Sequence, residues 1–287
     1  MVVRIAIPNK GRLQGPAIKL LEDAGIGVVD KEERQLFART KDPDIELVFV
    51  RAQDIPSMLE KGAADVGITG YDLVLESGAK VVEIMDLEFG SASMVVAANE
   101  RSGIKTVKDV KTGARVTTEF PSVAKRYFSG KKLKVEISRV SGAAEITPIV
   151  GVADLIVDLT STGTTLKTHG LRVIDTLFET SARFIANPKS LKENSDKIEE
   201  IKTAFESVVR ARGKKLLLLN VPAEKLEAIK RIMPGMAGPT VSRVESAKPM
   251  LAVQAVVQAK DVYEVVRKAK KVGARDILVL PIERVLP

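Results

Sequence analysis

Hydrophobic and polar positions along the chain follow two alternating periods, which predict strands and helices in turn. Apolar runs at residues 2–8 and 45–50 are typical of buried strands, whereas residues 12–25 place apolar side chains at helical spacing and end at a glycine. A strand pattern at residues 34–40 and a helix–strand–helix–strand pattern over residues 52–87 continue the alternation. We therefore predict an α/β protein built of layered sheets and helices.

A second block with the same alternation covers residues 91–178. Its apolar runs predict strands separated by helices over residues 121–130 and 143–151, and its strand at residues 153–159 leads into a loop rich in threonine. Two such blocks indicate two lobes with a cleft between them. Because α/β proteins bind ligands at the carboxyl ends of strands, we expect the functional site there.

The chain then changes in character. A strand that returns to the first lobe and a long charged helix are followed, over residues 214–280, by elements in the order βαββαβ, which is the ferredoxin-like arrangement. We assign residues 1–94 and 180–211 to lobe I, residues 95–179 to lobe II, and residues 212–287 to a separate C-terminal domain. A small domain beside a complete cleft suggests regulation or assembly.

The composition limits the chemistry that the chain can use. With no cysteine and one histidine among 287 residues, disulfides, thiol nucleophiles and zinc clusters are excluded. A metal ion would need oxygen ligands, and Mg²⁺ is the leading candidate. The first residues resemble a strand and not a signal peptide, and no apolar run reaches the length of a bilayer, so we expect a cytoplasmic protein without a membrane partner.

The net charge of +8 at first suggests a nucleic-acid partner. However, the basic residues are spread among 37 acidic ones, and there are no tryptophans and few other aromatic residues on which bases could stack. We therefore expect no nucleic-acid binding. A mildly basic surface also suits small polyanionic substrates, whose approach it accelerates.

The segment VDLTSTGTTLKTHG at residues 157–170 carries the strongest chemical signal. It joins a strand to a helical turn, where backbone N–H groups and the positive end of a helix favour an anion, most often phosphate. Small hydroxyl side chains add donors, and a glycine lets the backbone approach closely; these residues are Ser161, Thr162, Gly163, Thr164 and Thr165. An ordinary surface loop is the alternative interpretation.

Two aspartates precede this loop. Asp154 and Asp158 are four residues apart in a strand, so their side chains should point to the same face. They could hold sugar hydroxyls or Mg²⁺ beside a bound phosphate, and they could equally be a solvated strand end and a helix cap. Together with the loop they suggest a phosphorylated sugar as the ligand.

Five segments of the chain resemble the long-form ATP phosphoribosyltransferases. These segments are IPNKGRL at 7–13, DVGITGYDLV at 65–74, DLEFGSASMVVA at 86–97, SGAAEITPIVGVADLIVDLTSTGTTLKTHGL at 141–171 and LVLPIERV at 278–285. The resemblance implies transfer of phosphoribosyl from phosphoribosyl pyrophosphate (PRPP) to N1 of ATP with Mg²⁺, as the first step of histidine biosynthesis. It also implies a core like the periplasmic binding proteins, an ACT-like C-terminal domain that binds histidine as feedback inhibitor, and dimers or hexamers.

The resemblance also assigns residues. The ATP side is implied to comprise Lys10, Arg12, Arg51, Gly70 and Asp72, although from the sequence alone the charged members could be solvated ends or helix caps.

Further assignments concern catalysis, PRPP and the effector. Glu145 is implied to lie near the PRPP site, and Thr240, with Asn220 more weakly, to bind the effector. We expect Asp154, Asp158 and Lys10 to be catalytic, with Mg²⁺ carried mainly by substrate phosphates.

Two other classes of function remain open from the sequence. A non-catalytic two-lobed protein could hold an anion or solute in the same loop, and a phosphoribosyltransferase could use an acceptor other than ATP. The paired aspartates disfavour the first alternative. No aromatic side chain at a known spacing decides the second.

Overall fold

The computed structural model describes residues 2–29, 36–233, 235–236, 238–246 and 248–286. The chain divides into two compact units, residues 1–205 and 206–287, and the boundary falls within a long helix. Across the described ranges, none of the helices is both long and apolar enough to cross a membrane.

The first unit alternates strands with helices, as the hydrophobic pattern predicts. Its strands are β1 (Val3–Pro8), β2 (Phe37–Arg39), β3 (Ile45–Val50), β4 (Val66–Gly70), β5 (Val82–Asp86), β6 (Ala92–Asn99), β7 (Ala114–Thr118), β8 (Val135–Arg139), β9 (Leu155–Thr160), β10 (Leu171–Thr180) and β11 (Ala182–Ala186). Its helices are α1 (Gln14–Asp23), α2 (Ile55–Glu60), α3 (Tyr71–Ser77), α4 (Pro121–Gly130), α5 (Thr164–Thr168), α6 (Ser190–Glu193) and α7 (Ser195–Ala211), of which the last crosses the boundary. The start of the strand predicted at residues 34–40 lies outside the described residues.

Lobe I is built on a sheet with the strand order β2-β3-β1-β4-β11-β5. Strand β1 pairs in parallel with β3 and with β4, so the carboxyl ends of these three strands lie along one edge. The consecutive residues Ile5, Ala6 and Ile7 of β1 are fully buried, as expected for a central strand covered on both faces. Strand β11 returns from far along the chain and pairs antiparallel with β4 and β5, as predicted.

Lobe II is built on a second sheet, in the order β10-β6-β9-β7-β8. Strand β7 runs parallel to β8 and β9, whereas β6 runs antiparallel to β9 and β10. Buried side chains from β6, β7, β9 and α4, including Met94, Val116, Phe128 and Leu155, form a core of this lobe. Because β7 and β9 are parallel, their carboxyl ends lie together at one edge of the sheet, and their amino ends lie together at the opposite edge.

Helix α3 of lobe I is anchored on lobe II. Leu73 and Leu75 pack against the core of lobe II, and the Glu76 carboxylate accepts hydrogen bonds from the backbone N–H groups of Ser122 and Val123 at 3.0 and 2.9 Å. These are N–H groups of the first turn of α4, which have no partner within the helix. A carboxylate from one lobe thus caps a helix of the other.

The C-terminal domain has the predicted βαββαβ order. It consists of β12 (Lys214–Pro222), α8 (Leu226–Ile232), β13 (Thr240–Val244), β14 (Met250–Gln258), α9 (Val262–Val272) and β15 (Arg275–Pro281). Its sheet has the antiparallel order β13-β14-β12-β15, which is the ferredoxin-like topology. Alternate residues of β12, namely Leu217, Leu219 and Val221, are buried with residues of α8 and α9. The predicted fold class is confirmed.

The helix predicted over residues 143–151 is wrong. Only Ala144–Ile146 form a 3-10 turn, and the backbone then continues through turns to Gly151. Ala143 adopts a φ of 50° and Gly151 a φ of 76°, and Pro148 has no N–H with which to continue a helical hydrogen-bond pattern. The apolar spacing favours a helix, but the positive φ angles and the missing N–H of Pro148 prevent one.

Candidate active site

The predicted phosphate loop lies at the carboxyl edge of the lobe II sheet. Asp158 is in the last half of β9, residues 161–163 form the turn, and α5 begins at Thr164. The Thr160 hydroxyl accepts a hydrogen bond from the Gly163 N–H at 2.9 Å, and the hydroxyls of Thr162 and Thr164 are 2.9 Å apart. Helix α5 spans only five residues, so its dipole is small. The groups that could bind an anion are therefore mainly the hydroxyl and backbone N–H donors of the loop.

A cavity of about 250 Å³ opens at this loop. The structure brings five of the predicted substrate-binding residues to its wall, namely Glu145, Asp158, Ser161, Thr162 and Thr165. Thr160, which was not predicted, also lines it. Gly163 and Thr164 form the adjoining turn. A carboxylate pair at one side and hydroxyls at the other suit a ligand that carries both a sugar and a phosphate.

The turn requires glycine at position 163 because of the backbone conformation there, and not because a larger side chain would lack space. Its φ is 71°, in the left-handed region, and a Cβ built there would meet nothing within 4 Å. We expect Gly163→Ala to cost about 1 kcal/mol of local conformational free energy and to raise the KM for the ligand of this loop about tenfold. Steady-state kinetics would measure the change. Gly130→Ala is the control, since Gly130 has open space and no positive φ; an equal KM in both variants would contradict this role of Gly163.

The pKa of Asp158 is raised to about 6, chiefly by burial and to a smaller extent by the nearby carboxylates of Glu145 and Glu119, against a hydrogen bond from the Leu159 N–H that lowers it. The Leu159 N–H donates to Oδ1 of Asp158 at 2.7 Å. An aspartate in these surroundings is costly to ionise, and a hydroxyl donor or a cation brought by a ligand would offset that cost. Perturbed carboxylates of this kind are typical of functional sites.

Glu119 is a residue of this edge that the sequence reasoning missed. It directly follows β7, and Thr118 pairs with Val157 in the parallel β9, so Glu119 and Asp158 emerge side by side. A charged residue just after a parallel strand lies at the edge where α/β proteins bind ligands, and this signal would have indicated Glu119.

Asp154 was expected beside Asp158, and this expectation is wrong. Asp154 precedes β9, at the amino edge of the sheet, where its carboxylate accepts hydrogen bonds from the Arg115 guanidinium (2.9 Å) and from the Arg115 backbone N–H (2.8 Å). Four residues of strand separate it from Asp158 by roughly 13 Å. Residues on one face of a strand can still lie at opposite edges of a sheet. The ion pair with Arg115 holds the pKa of Asp154 below its usual value.

The residues predicted for the second substrate lie along the carboxyl edge of the lobe I sheet. Lys10 and Arg12 follow β1, Arg51 follows β3, and all three are exposed. Gly70 ends β4, and Asp72 lies in the first turn of α3. The structure thus gathers all five around the ends of three adjacent strands.

Asp72 is the buried centre of a small network at the junction of the lobes. Its side chain accepts a hydrogen bond from the Thr180 hydroxyl at 2.7 Å and lies 4.0 Å from the Arg12 guanidinium. Arg12 also donates to the carbonyl of Gly90 at 2.6 Å. Gly90 and Thr180 flank the two crossovers between the lobes, so Arg12 and Asp72 connect the lobe I edge to both crossovers.

The two predicted effector residues share the outer face of the C-terminal sheet. Thr240 pairs with Gln254, which pairs with Leu218, and Asn220 pairs with Ala252 two positions further along. Leu217 and Leu219 of β12 point to the opposite, helix-covered face. Asn220 donates a hydrogen bond to Asp276 at 3.0 Å. Ala237, three residues before Thr240, lies outside the described residues.

These features define a class of protein: a two-lobed α/β protein with a hydroxyl-rich loop at the carboxyl edge of one sheet and cations at the carboxyl edge of the other. Comparison with known proteins narrows the class. Residues 51–207 match the family described as ATP phosphoribosyltransferase, and residues 211–284 match the family described as HisG, C-terminal domain.

Full-length relatives and one solved structure agree with this match. The chain is 52% identical over 286 residues to the ATP phosphoribosyltransferase of Methanopyrus kandleri and 49% identical over 287 residues to that of Methanothermobacter thermautotrophicus, each alignment covering 100% of both proteins. An ATP phosphoribosyl transferase (HisG:HisZ) complex from Thermotoga maritima has a chain that superposes with a TM-score of 0.63 at 30% identity, covering 71% of this chain and 99% of that one.

The chain belongs to the ATP phosphoribosyltransferase family, in its long form with the C-terminal domain. It is a phosphoribosyl-transferring enzyme of the first step of histidine biosynthesis.

Proposed function

We propose that the chain joins PRPP to N1 of the adenine ring of ATP, with PRPP held by the lobe II loop and ATP by the lobe I edge. The observation that carries the proposal is the cavity at the carboxyl end of β9, where hydroxyls of the loop face the carboxylates of Asp158 and Glu145. It supports a ligand with a phosphate at one end and a pentose beside it.

The loop residues Ser161 to Thr165 would take the unreactive 5-phosphate. Their hydroxyls and backbone N–H groups can replace the water around phosphate oxygens, and the left-handed Gly163 shapes the turn that presents them. Anchoring this end fixes the position of C1 of the ribose. This orientation accelerates the reaction, because the attacking ring nitrogen meets a carbon that is already held in place.

The carboxylates at the same edge would stabilise the ribose as its bond to pyrophosphate breaks. Such transfers pass through an oxocarbenium-like state with positive charge near C1 and the ring oxygen. The ionised Asp158, with Glu145 and the adjacent Glu119, supplies negative charge of the required sign. No general base is needed, since N1 of adenine carries a free lone pair at neutral pH.

The exposed cations of the lobe I edge would bind the phosphates of ATP and the departing pyrophosphate. Lys10, Arg12 and Arg51 follow β1 and β3 at the same edge, and Arg12 is fixed by its bond to Gly90. Lys10 carries a compact charge on a flexible stem, which suits a leaving group whose charge grows during the reaction. Asp72 would act by positioning Arg12.

Mg²⁺ fits this donor set only as an ion carried by the substrate. The carboxylates of Asp158 and Glu145 are oxygen ligands of the right kind, yet the described residues contain no group of three or more acidic, histidine or cysteine side chains arranged to hold a metal ion. The phosphates of PRPP would complete its coordination. When bound, Mg²⁺ neutralises charge on the pyrophosphate.

An omission experiment tests the proposal. The absorbance change of the adenine ring on mixing protein, ATP, PRPP and Mg²⁺, with pyrophosphatase present, is expected to require every component. A change without ATP, or with another nucleotide at an equal rate, would contradict ATP as the acceptor. Binding of PRPP without turnover under any condition would favour the non-catalytic alternative.

We also propose that the outer face of the C-terminal sheet binds histidine. Thr240 is exposed at the start of β13, so we expect Thr240→Ala to raise the histidine concentration for half-inhibition about tenfold, as loss of one hydrogen-bonded hydroxyl would do, without changing kcat. Inhibition curves would measure this. Thr240→Ser keeps the hydroxyl and serves as the control; unchanged inhibition in Thr240→Ala would place the effector elsewhere.

The same face is the proposed meeting surface of subunits. Leu278 and Leu280, which share one face of the edge strand β15, are 56% and 43% exposed, so that face carries an exposed apolar patch. Association into dimers and hexamers would cover them. Light scattering with and without histidine would give the mass of the assembly.

A further inference from the structure

A second and larger cavity lies at the amino edge of the lobe II sheet. Its volume is about 580 Å³, against about 250 Å³ for the cavity at the phosphate loop. Its wall is formed by the segment after β6, the start of β7 and the residues before β9. The length of β7 separates the two cavities by roughly 13 Å. The amino-edge cavity is therefore a site distinct from the one proposed for PRPP.

The charged side chains of this cavity leave a positive excess. Arg101, Lys111 and Arg115 contribute cations, and Asp109 and Asp154 contribute carboxylates. Both carboxylates already have partners.

The partner of Asp154 is Arg115, as described above. Asp109 accepts hydrogen bonds from the backbone N–H groups of Lys105 and Thr106 at 3.0 and 2.8 Å. Asp154 is thus neutralised by Arg115, whereas Asp109 keeps its negative charge, so Arg101 and Lys111 leave the wall with a net positive charge of one.

Two of the cations have no such partner. In the part of the chain that the structure describes, neither Arg101 nor Lys111 forms an ion pair, whereas Arg115 is held by Asp154 and by the carbonyl of Gly151 at 2.9 Å. Two unpaired cations on one concave wall attract an anion, and an arginine among them matches the geometry of phosphate or carboxylate oxygens.

The remainder of the wall combines apolar side chains with the polar side chains of Asn99, Ser102 and Thr112. Ile104, Ala114, Pro148 and Ala153 line it between the charged groups. The volume falls in the range of small-molecule sites, which combine an apolar lining with a few placed polar groups. An inorganic ion alone would leave most of this space and most of this apolar surface unused.

We propose that the cavity between Arg101, Lys111 and Pro148 is a second ligand site, which binds a small organic anion with a phosphate or carboxylate group and an apolar body. The anionic group lies between Arg101 and Lys111, and the body lies against Ile104 and Pro148.

Residue-resolved NMR tests the site with four probes: inorganic phosphate, phenyl phosphate, acetate and benzoate, each titrated at constant ionic strength. Phenyl phosphate or benzoate is expected to shift the amide signals of Ser102, Gly113 and Gly151 in a saturable way, at least about fivefold more tightly than the matching ion without a ring, because the ring buries apolar surface. The tighter of the two aromatic probes identifies the preferred anionic group.

Charge reversal provides the matched control. Arg101→Glu with Lys111→Glu is expected to weaken binding at least tenfold. Lys105→Glu with Lys108→Glu makes the same change of charge on the same segment, at residues that do not line the cavity, and is expected to weaken binding less than threefold. Equal weakening in the two double variants, shifts that do not saturate, or shifts confined to residues 158–166 would overturn the proposal. Because the readout is binding at named amides, its failure would leave the assignment of the catalytic cavity untouched.

Discussion

Asp158→Asn is expected to lower kcat/KM for PRPP about 100-fold or more, the scale for losing one preorganised electrostatic group at a reacting centre. The variant keeps the size of the side chain and removes its charge. Because burial and neighbouring carboxylates raise the pKa of Asp158 to about 6, the ionised side chain destabilises the folded protein at neutral pH. Asp158→Asn should therefore unfold at an equal or higher temperature than the parent at pH 7.5 while losing activity, a combination that a purely structural aspartate would not produce.

The pH dependence of the parent protein follows from the same shift. A raised pKa means that the folded state holds a proton more tightly than the unfolded state, so the stability contribution falls as the pH rises from the usual value of 3.8 to about 6 and is constant above that. If the ionised carboxylate is the active form, kcat/KM for PRPP should rise between pH 5 and 7. The Asp158→Asn variant should lack this rise.

Asp154→Asn is the matched control, since it makes the same change four residues earlier. Its carboxylate is bound by Arg115 at the opposite edge of the sheet, so we expect kcat/KM within about threefold of the parent. The pair is partly exposed, and its loss should cost about 1 kcal/mol or less. A loss of activity as large as that of Asp158→Asn would contradict the separation of the two aspartates.

Gly70→Ala is expected to raise the KM for ATP at least tenfold with little effect on the KM for PRPP. Gly70 has an ordinary φ of −73°, so backbone strain is not the reason. A Cβ at this position would lie 2.5 Å from Oδ1 of Asp72, which must then move away from the Thr180 hydroxyl and from Arg12. Losing a hydrogen bond in a buried site costs about 1–3 kcal/mol, and thermal unfolding would record that cost alongside the kinetics.

Gly15→Ala provides the comparison within lobe I. A Cβ on Gly15 meets nothing within 4 Å, and its φ is not positive, so both the KM for ATP and the stability should stay close to those of the parent. If Gly70→Ala lowered stability and left the KM for ATP unchanged, Asp72 would support the fold only, and Arg12 would not depend on it.

The hydrophobic pattern predicts most of this fold because each strand is a short apolar run bounded by turn residues. Residues 45–50 form a strand and residues 121–130 a helix, with the bounds that the pattern indicates. The pattern fails at residues 143–151, where apolar spacing competes with Pro148 and with left-handed backbone at Ala143 and Gly151. The periodicity of apolar residues reports which side chains are buried. It contains no information on backbone constraints at a proline or at residues with a positive φ.

The candidate site could be predicted only as far as it is local in sequence. The loop from Ser161 to Thr165 is continuous and was found directly, together with Asp158. Glu119 reaches the same edge from another strand, and its position depends on the pairing of β7 with β9, which no single segment encodes. The error at Asp154 has the same origin, because the direction of a side chain is local but its place along the sheet depends on strand length and register.

A crystal structure of the protein with PRPP and Mg²⁺ tests the central claim most directly. The account predicts the 5-phosphate within hydrogen-bond distance of Ser161, Thr162 and Thr165, and the ribose hydroxyls beside Asp158. Phosphate groups bound at the amino edge, between Arg101 and Lys111, with the loop left empty, would contradict it.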